Sequence, residues 1–221
     1  MPLFYSKNIN ATTKLAIWKI EEAESFFLSY VPIQSNITHP HKRLQHLAGR
    51  YLLQYLFPDF PIKSIQIAST RKPFLEDEQY HFSISHSGNY AAAIVSSKHR
   101  IGIDIEIERP MVANVAHKFL NIEELNNFIL QDKMQQISHS LPKVDLLKHL
   151  DKLILLWCAK EAIFKWWGCG EVDFSEMIRV DKMDVGKIGM LKSRLLTNKK
   201  TYLLEPNFKI FDEITLVWVM N

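Results

Sequence analysis

The segment Gly102-Ile103-Asp104-Ile105-Glu106-Ile107-Glu108 alternates strictly between isoleucine and acidic residues. This period of two is typical of a β-strand and places the isoleucines on one face and the carboxylates on the other. Carboxylates two residues apart on a strand lie roughly 7 Å apart, so Asp104 and Glu106 could converge on one hard cation such as Mg²⁺. An amphipathic edge strand with its acids in water gives the same alternation, and both interpretations stay open. Gly102 would let a ligand or another strand come close.

A second segment, Trp157-Cys158-Ala159-Lys160-Glu161-Ala162-Ile163-Phe164-Lys165, lies in a predicted apolar helix over residues 146–167. Glu161 and Lys165 are four apart and share one face, with Lys160 one step round the helix. Burying charge on so apolar a helix costs free energy unless the charges are paired or bind a ligand. A glutamate between two lysines could therefore bind a metal while the ammonium groups hold phosphate. An exposed i,i+4 Glu–Lys pair is the alternative.

The rest of the chain predicts a mixture of strands and helices rather than a strict strand–helix repeat, so α+β is the expected class. A loop is expected at 131–145, and turn chemistry at 86–89 predicts a hairpin. The predicted helices are 21–30, 41–57, 112–130 and 146–167. The predicted strands are 14–18, 62–69, 80–85, 90–96, 101–107 and several short ones ending with 214–219.

Composition narrows the class of protein. The 221 residues carry a formal net charge of +3, too mild for a typical nucleic-acid binder. The two cysteines, Cys158 and Cys169, have no Cys-x-x-Cys spacing and are expected to be reduced thiols. No signal peptide and no membrane-length apolar run is evident. We therefore expect a soluble, cytoplasmic protein that binds neither nucleic acid nor membrane.

Four short motifs occur in order: Lys72-Pro73, Phe82-Ser83-Ile84-Ser85-His86-Ser87, the acidic strand, and Trp157-x-x-Lys160-Glu161-x-x-x-Lys165. In this order the chain resembles the 4′-phosphopantetheinyl transferases, and most closely the larger, Sfp-type branch. The resemblance implies two similar α/β lobes in one chain, related by a pseudo-twofold axis, with the active site in the cleft between them. The expected lobes are 1–100, for contacts to the nucleotide end, and 101–221, for the metal and pyrophosphate.

The resemblance also implies an activity. The protein would transfer 4′-phosphopantetheine from coenzyme A to a serine of an apo acyl or peptidyl carrier protein, releasing adenosine 3′,5′-bisphosphate. Asp104, Glu106 and Glu161 would hold Mg²⁺, with Mn²⁺ as the alternative ion, together with the pyrophosphate of coenzyme A. Lys160 and Lys165 would contact the phosphates. Glu161, or a metal-bound water, would take the proton from the carrier serine, and the enzyme would act as a monomer.

By the same resemblance, Lys72, Ser85 and His86 would lie around the nucleotide end of coenzyme A, near its 3′-phosphate. The family's nucleotide-contacting arginine aligns with Gln45, which cannot supply a charge. Arg43 is the expected substitute, and Lys42 and Arg50 are the other candidates.

Two further expectations concern partners and alternatives. Val112, Val115 and Phe119 could dock the acidic helix of a carrier protein, or could simply be core residues of an amphipathic helix. A non-catalytic coenzyme A or nucleotide binder on the same fold is one alternative function. An unrelated Mg²⁺-dependent phosphohydrolase using the acidic strand is the other. A Ser-His hydrolase is disfavoured because the sequence has no Gly-x-Ser-x-Gly motif.

Overall fold

A computed structural model describes residues 2–32, 37–129, 143–184 and 186–221. Two antiparallel sheets dominate it, the first built from strands before residue 97 and the second from strands after residue 100. In sheet order, the first consists of β1 (Leu3–Asn10), β2 (Thr13–Lys19), β6 (Tyr90–Ser96) and β5 (His81–Ser87). The second runs β10 (Thr201–Leu204), β9 (Ile188–Leu196), β11 (Asn207–Ile210), β12 (Ile214–Met220) and β7 (Ile101–Ile107), with β8 (Ile178–Met183) also paired to β9.

Helices and short elements complete the described chain. The α-helices are α1 (Glu24–Leu28), α2 (Pro40–Leu56), α3 (Val112–Val115), α4 (Ile122–Glu124), α5 (Lys143–Leu147) and α6 (Leu150–Trp167). A two-stranded ribbon pairs β3 (Gln66–Ile67) with β4 (Pro73–Phe74), 3₁₀ turns occupy Ile62–Ser64 and Ala116–Lys118, and a π-helical turn occupies Leu125–Ile129. The expected α+β class is therefore confirmed.

Three apolar layers hold these elements together. Helix α2 packs on one face of the first sheet, and α6 packs on one face of the second. The remaining faces meet each other, where Leu15, Ile94, Ile103 and Leu216 are all fully buried. The layers are stacked in the order helix, sheet, sheet, helix. This order is possible because the central strands carry apolar side chains on both faces, one face packing on a helix and the other on the second sheet.

Several predicted boundaries need correction. The helix predicted over 112–130 is not continuous within residues 112–129, because Asn121 and Glu124 make a capping box that begins a new helix. The helix expected over 146–167 is divided at the turn 148–149, and its first part begins at Lys143. Residues 62–69 are mostly a 3₁₀ turn with a two-residue strand, and β1 was not predicted. Most of the loop predicted over 131–145 lies outside the described residues.

Candidate active site

Strand β7 and helix α6 meet at Gly102. A Cβ atom built there would lie 2.0 Å from the carbonyl oxygen of Ala162 and 2.7 Å from the amide nitrogen of Trp166. Such distances forbid any side chain, so the glycine allows the helix backbone to rest directly on the strand. The close neighbour of Gly102 is thus a helix and not the ligand or strand that was predicted. This contact brings the acidic face of β7 to Glu161 and Lys165.

Asp104 lies in this contact and is only 3% exposed. Its Oδ1 atom accepts hydrogen bonds from Lys165 Nζ and from Ser85 Oγ, both at 2.6 Å. Lys165 Nζ also donates to Ser85 Oγ at 3.0 Å. The second oxygen, Oδ2, is buried and has no nitrogen or oxygen donor among the described residues. The alternative of a strand with its acids in water is therefore wrong for Asp104.

Glu106 is partly buried one step along the same face of β7. Ser87 Oγ donates to its Oε2 at 2.5 Å, while the same hydroxyl accepts from the amide of Ile107 at 3.2 Å. Burial raises the pKa of Glu106, the Ser87 bond opposes that shift, and the charge of Asp104 adds to it. Sequence reasoning missed Ser87 as a partner, although its alternation with Ser83 and Ser85 on β5 is visible in the sequence.

Glu161 approaches the two acids of β7 from α6. Burial and the charge of Asp104 raise its pKa from 4.5 to about 7, and Glu106 adds to the rise while Lys165 opposes it. Burial acts to lower the pKa of Lys165, but Asp104 and Glu161 hold it above its usual value. The structure therefore brings three predicted acids, Asp104, Glu106 and Glu161, close to one predicted lysine, Lys165. In this site the carboxylates repel one another around a single ammonium group.

Lys160 lies on a different side of α6, and its predicted phosphate contact does not fit the structure. Its side chain is fully buried, and Nζ donates to Glu124 Oε2 at 2.7 Å and to the carbonyls of Phe174 and Ile178 at 2.9 and 2.6 Å. All three ammonium protons are used by these partners. The one-step offset from Glu161 turns Lys160 toward the α4 and β8 side of the helix.

Lys72 crosses from the β3–β4 ribbon to the end of α6. Its Nζ donates to the carbonyl of Lys165 at 2.7 Å, and Arg100 donates to the carbonyl of Trp167. These cations satisfy carbonyls that the helix leaves unpaired at its C-terminus, next to Gly168 at φ +66°. Lys72 thereby fixes the turn that carries Lys165, while its predicted contact to the nucleotide stays a prediction.

The polar side chains on α2 make two sets of contacts. Arg43 is paired with Glu24 at 2.7 Å, and Gln45 donates to the carbonyl of Gly88 at 2.8 Å. Arg50 instead lies 3.0 Å from His46 Nδ1, one helical turn away. Burial, then Arg50, then His86 lower the pKa of His46 to about 4.

Burial and then the charge of Lys165 lower the pKa of His86, and His41 adds to the shift while Asp104 opposes it. Arg43, the expected substitute for the family arginine, is paired with Glu24. The i,i+4 spacing of His46 and Arg50 was the signal in the sequence for the contact between these two side chains.

An apolar groove of about 200 Å³ adjoins Glu106. Its walls include Met111, Val112, Val115 and Trp157. Phe119, the third residue expected at this surface, is fully buried and belongs to the core. The groove ends at the acidic group, so a partner lying in it would reach Glu106.

This arrangement can neutralise an anion through Lys165 and can offer carboxylate oxygens to a hard cation. Among the described residues, no three His, Cys, Asp or Glu side chains are grouped closely enough to enclose a metal ion by themselves. Within the same residues no helix is long and apolar enough to cross a membrane.

Comparison with known proteins assigns the chain to a class. The profile of the 4′-phosphopantetheinyl transferase superfamily matches residues 100–209, the part that contains β7 and α6. The chain belongs to this superfamily.

Its relatives include the 4′-phosphopantetheinyl transferase Sfp of Bacillus subtilis, 30% identical over 63% of this chain and 57% of that protein. A putative 4′-phosphopantetheinyl transferase of Haemophilus influenzae is 28% identical over 63% of this chain and 55% of its own length. A third, psf-1 of Bacillus pumilus, is 25% identical over 56% of this chain. The chain thus spans a little over half the length of the first two relatives, and its resemblance to the Sfp-type branch is confirmed.

Proposed function

We propose that this protein transfers 4′-phosphopantetheine from coenzyme A to a serine hydroxyl of an apo acyl or peptidyl carrier protein and releases adenosine 3′,5′-bisphosphate. The observation that carries the proposal is the buried group in which Asp104 of β7 meets Lys165 of α6, with Glu106 and Glu161 beside them. Transfer of a phosphoryl-linked group between oxygens needs mainly positioning and charge neutralisation, which such a group can supply.

A magnesium ion fits part of this group. Asp104 has a buried oxygen without a nitrogen or oxygen donor among the described residues, and its charge, with burial, raises the pKa of both Glu106 and Glu161, as expected of ligands lacking their cation. Asp104, Glu106 and Glu161 would hold Mg²⁺, with Mn²⁺ as an alternative. When bound, the ion would neutralise charge on the pyrophosphate of coenzyme A.

The protein's own residues would then divide the work. Lys165 would neutralise the non-bridging phosphate oxygens. Glu161, directly or through a bound water, would accept the proton of the carrier serine, because its carboxylate lies in the same buried group as Asp104 and Lys165. Ser85 would hold Lys165 and Asp104 in register through its two hydrogen bonds.

The nucleotide end of coenzyme A would lie on the first sheet's side of Lys165. A cavity of about 270 Å³ lies there, lined by Arg71, Lys72, Pro73 and Ile84 among others. His86, next to Lys165, would face the 3′-phosphate.

The two sheets with their helices would be the two lobes, 1–100 and 101–221, related by a pseudo-twofold axis. The protein would act as a cytoplasmic monomer with all of its site in one chain. The apolar groove beside Glu106 would receive the carrier protein next to the serine that is modified.

The test is direct. Apo carrier proteins of the acyl and peptidyl kinds are incubated with this protein, coenzyme A and Mg²⁺, and each carrier is weighed by mass spectrometry. We expect a gain of one phosphopantetheine on at least one carrier. Binding of coenzyme A without any mass gain would instead make the protein a non-catalytic coenzyme A binder.

Asp104→Asn should lower the rate of transfer by about 100-fold or more, because one charged member of the electrostatic site is lost. Asp151→Asn is the matched control, since Asp151 is exposed on the first turn of α6 and loses the same charge. Rates come from the same mass measurement over time, and circular dichroism checks the fold. Near-normal transfer by Asp104→Asn would remove this residue from the site.

A further inference from the structure

A second cavity, of about 470 Å³, lies on the other side of Lys72 from the candidate active site. Three basic side chains line it: Lys72, His81 at the start of β5, and Arg100 just before β7. None of Ser85, His86, Asp104, Glu106, Glu161 and Lys165 is among its lining residues. The cavity shares the wall formed by Lys72, Pro73, Phe82 and Gly168 with the cavity assigned to the nucleotide, but it contains none of the residues to which the transfer step is assigned.

The basic groups are held in place by backbone and aromatic partners rather than by acids. The Arg100 guanidinium lies 5.0 Å from the ring centre of Trp166 and 5.4 Å from that of Trp167, and it donates to the carbonyl of Trp167. Lys72 donates once, to the carbonyl of Lys165. Both side chains keep further N–H donors for a ligand.

Lys72 and Arg100 bring two like charges to this cavity, and His81 is held neutral beside them. Burial and the charge of Arg100 lower the pKa of Lys72 to about 8. Burial lowers the pKa of His81, Glu78 opposes the shift, and Lys72, Arg100 and His99 add to it.

Glu78 is the single acid on the cavity wall, and among the described residues no ion pair joins it to Lys72, His81 or Arg100. An anion entering the cavity would relieve this repulsion.

The remaining wall is apolar. Pro73, Phe74, Leu75, Phe82 and Ile101 form it, and Phe74 is 36% exposed at the surface. A bare inorganic ion would leave this surface wet, whereas an anion with an apolar body would bury it and gain free energy.

We propose that this cavity binds an amphipathic organic anion, a phosphate ester or carboxylate with an apolar body, at a site separate from the catalytic one. The charged end would lie against Arg100, Lys72 and His81, and the apolar body against Phe74 and Pro73. This inference rests on the proposed function only for the location of the coenzyme A site.

Nuclear magnetic resonance of the ¹⁵N-labelled protein tests it. Phenyl phosphate and 3-phenylpropionate are titrated separately, which distinguishes phosphate from carboxylate, and benzyl alcohol is the uncharged control. Each titration is run without and then with excess adenosine 3′,5′-bisphosphate, which fills the proposed nucleotide site. We expect at least one anion to shift the Arg100 Nε–H and His81 amide signals, and benzyl alcohol to leave them unchanged.

Arg100→Leu and His81→Ala should each weaken that binding, the first by about ten-fold or more, because a charge-assisted hydrogen bond is lost. Lys98→Ala removes a charge from an exposed side chain two residues from Arg100 and should change the affinity by less than about two-fold. His81→Ala keeps the test valid should Arg100→Leu disturb the end of α6.

Three results would overturn the inference: no shift with either anion, equal binding by benzyl alcohol, or displacement of the anion by the bisphosphate. Failure of the proposed function would look different, because the His86 amide would then not respond to the bisphosphate while the Arg100 signal still responded to the anion.

Discussion

Burial beside two other carboxylates controls the ionisation of Glu161, and this has a consequence for stability. Its pKa is about 7 in the folded protein against 4.5 for an ordinary glutamate. A carboxyl group with a raised folded-state pKa holds its proton more tightly when folded. In the absence of metal its ionisation therefore costs stability as the pH rises from about 4.5 to about 7, by up to about 3 kcal/mol.

Glu161→Gln should remove this pH dependence. In EDTA the variant should be more stable than the wild type at pH 8 and about equal to it at pH 4.5. Urea unfolding at both pH values gives the comparison, and exposed Glu171→Gln controls for the loss of one negative charge elsewhere. A wild-type protein whose stability rises between these pH values, relative to Glu161→Gln, would contradict the assignment.

At the same scale, the sequence predicted the residues that depend on local periodicity. Alternation along β7 placed Asp104 and Glu106 on one face, and the i,i+4 spacing on α6 placed Glu161 with Lys165. Lys160 was misassigned because periodicity gives its angle around the helix but not which neighbour lies there. That neighbour is Glu124, far along the chain and joined to Lys160 only through tertiary packing.

Helix α6 is tied to α4 and β8 by the buried pair of Lys160 and Glu124. Glu124 Oε1 also accepts from the amide of Val180 at 2.8 Å, and Oε2 from the amide of Asn121 at 3.1 Å. Lys160→Met would leave the carboxylate buried without its cation, and should lower the free energy of unfolding by about 3–5 kcal/mol.

A double-mutant cycle separates this pair from its surroundings. Lys160→Met combined with Glu124→Gln should lose much less stability than the sum of the single variants, because the amide oxygen still accepts from the backbone and no buried charge remains. Lys148→Met, in an exposed pair with Asp145, should cost no more than about 1 kcal/mol. Additive losses in the cycle would show that the buried pair is not coupled.

Elements with uniform patterns were the ones that sequence predicted well. Strands β6 and β7 were predicted with their observed bounds, since each is apolar or alternating between turn residues. The prediction of one helix failed over residues 112–129, because the helical spacing of apolar residues continues across the point where one helix ends and another begins. The Asn121-x-x-Glu124 capping box was the signal for that break, and it outweighs periodicity by satisfying amide groups at a helix start.

At the scale of the whole molecule, the α+β class could be predicted from the sequence, but the stacking of the two sheets could not. Both faces of β2 and β6 are apolar, which the sequence shows, but which face meets α2 and which meets the second sheet is decided by long-range pairing. The hydrogen bonds from the amides of Ile103 and Ile107 to Ser83 and Ser87 on β5 then join the two sheets at the candidate site.

The shared core predicts that the two halves unfold together. Separating the sheets would expose fully buried residues of both, including Ile94 and Ile103. Leu53→Ala in the α2 core and Ile163→Ala in the α6 core should each lower the free energy of unfolding by about 2–5 kcal/mol.

Each variant should reduce the protection of the slowest-exchanging amides in both helices by the same amount, as measured by hydrogen exchange. Ile94→Ala, in the layer between the sheets, should reduce protection equally in both helices. It is the reference variant, because Ile94 packs against both halves of the molecule. Loss of protection confined to α2 in Leu53→Ala, or to α6 in Ile163→Ala, would mean that the lobes open independently. The site between β7 and α6 could then be kept while β5 and its serines moved away.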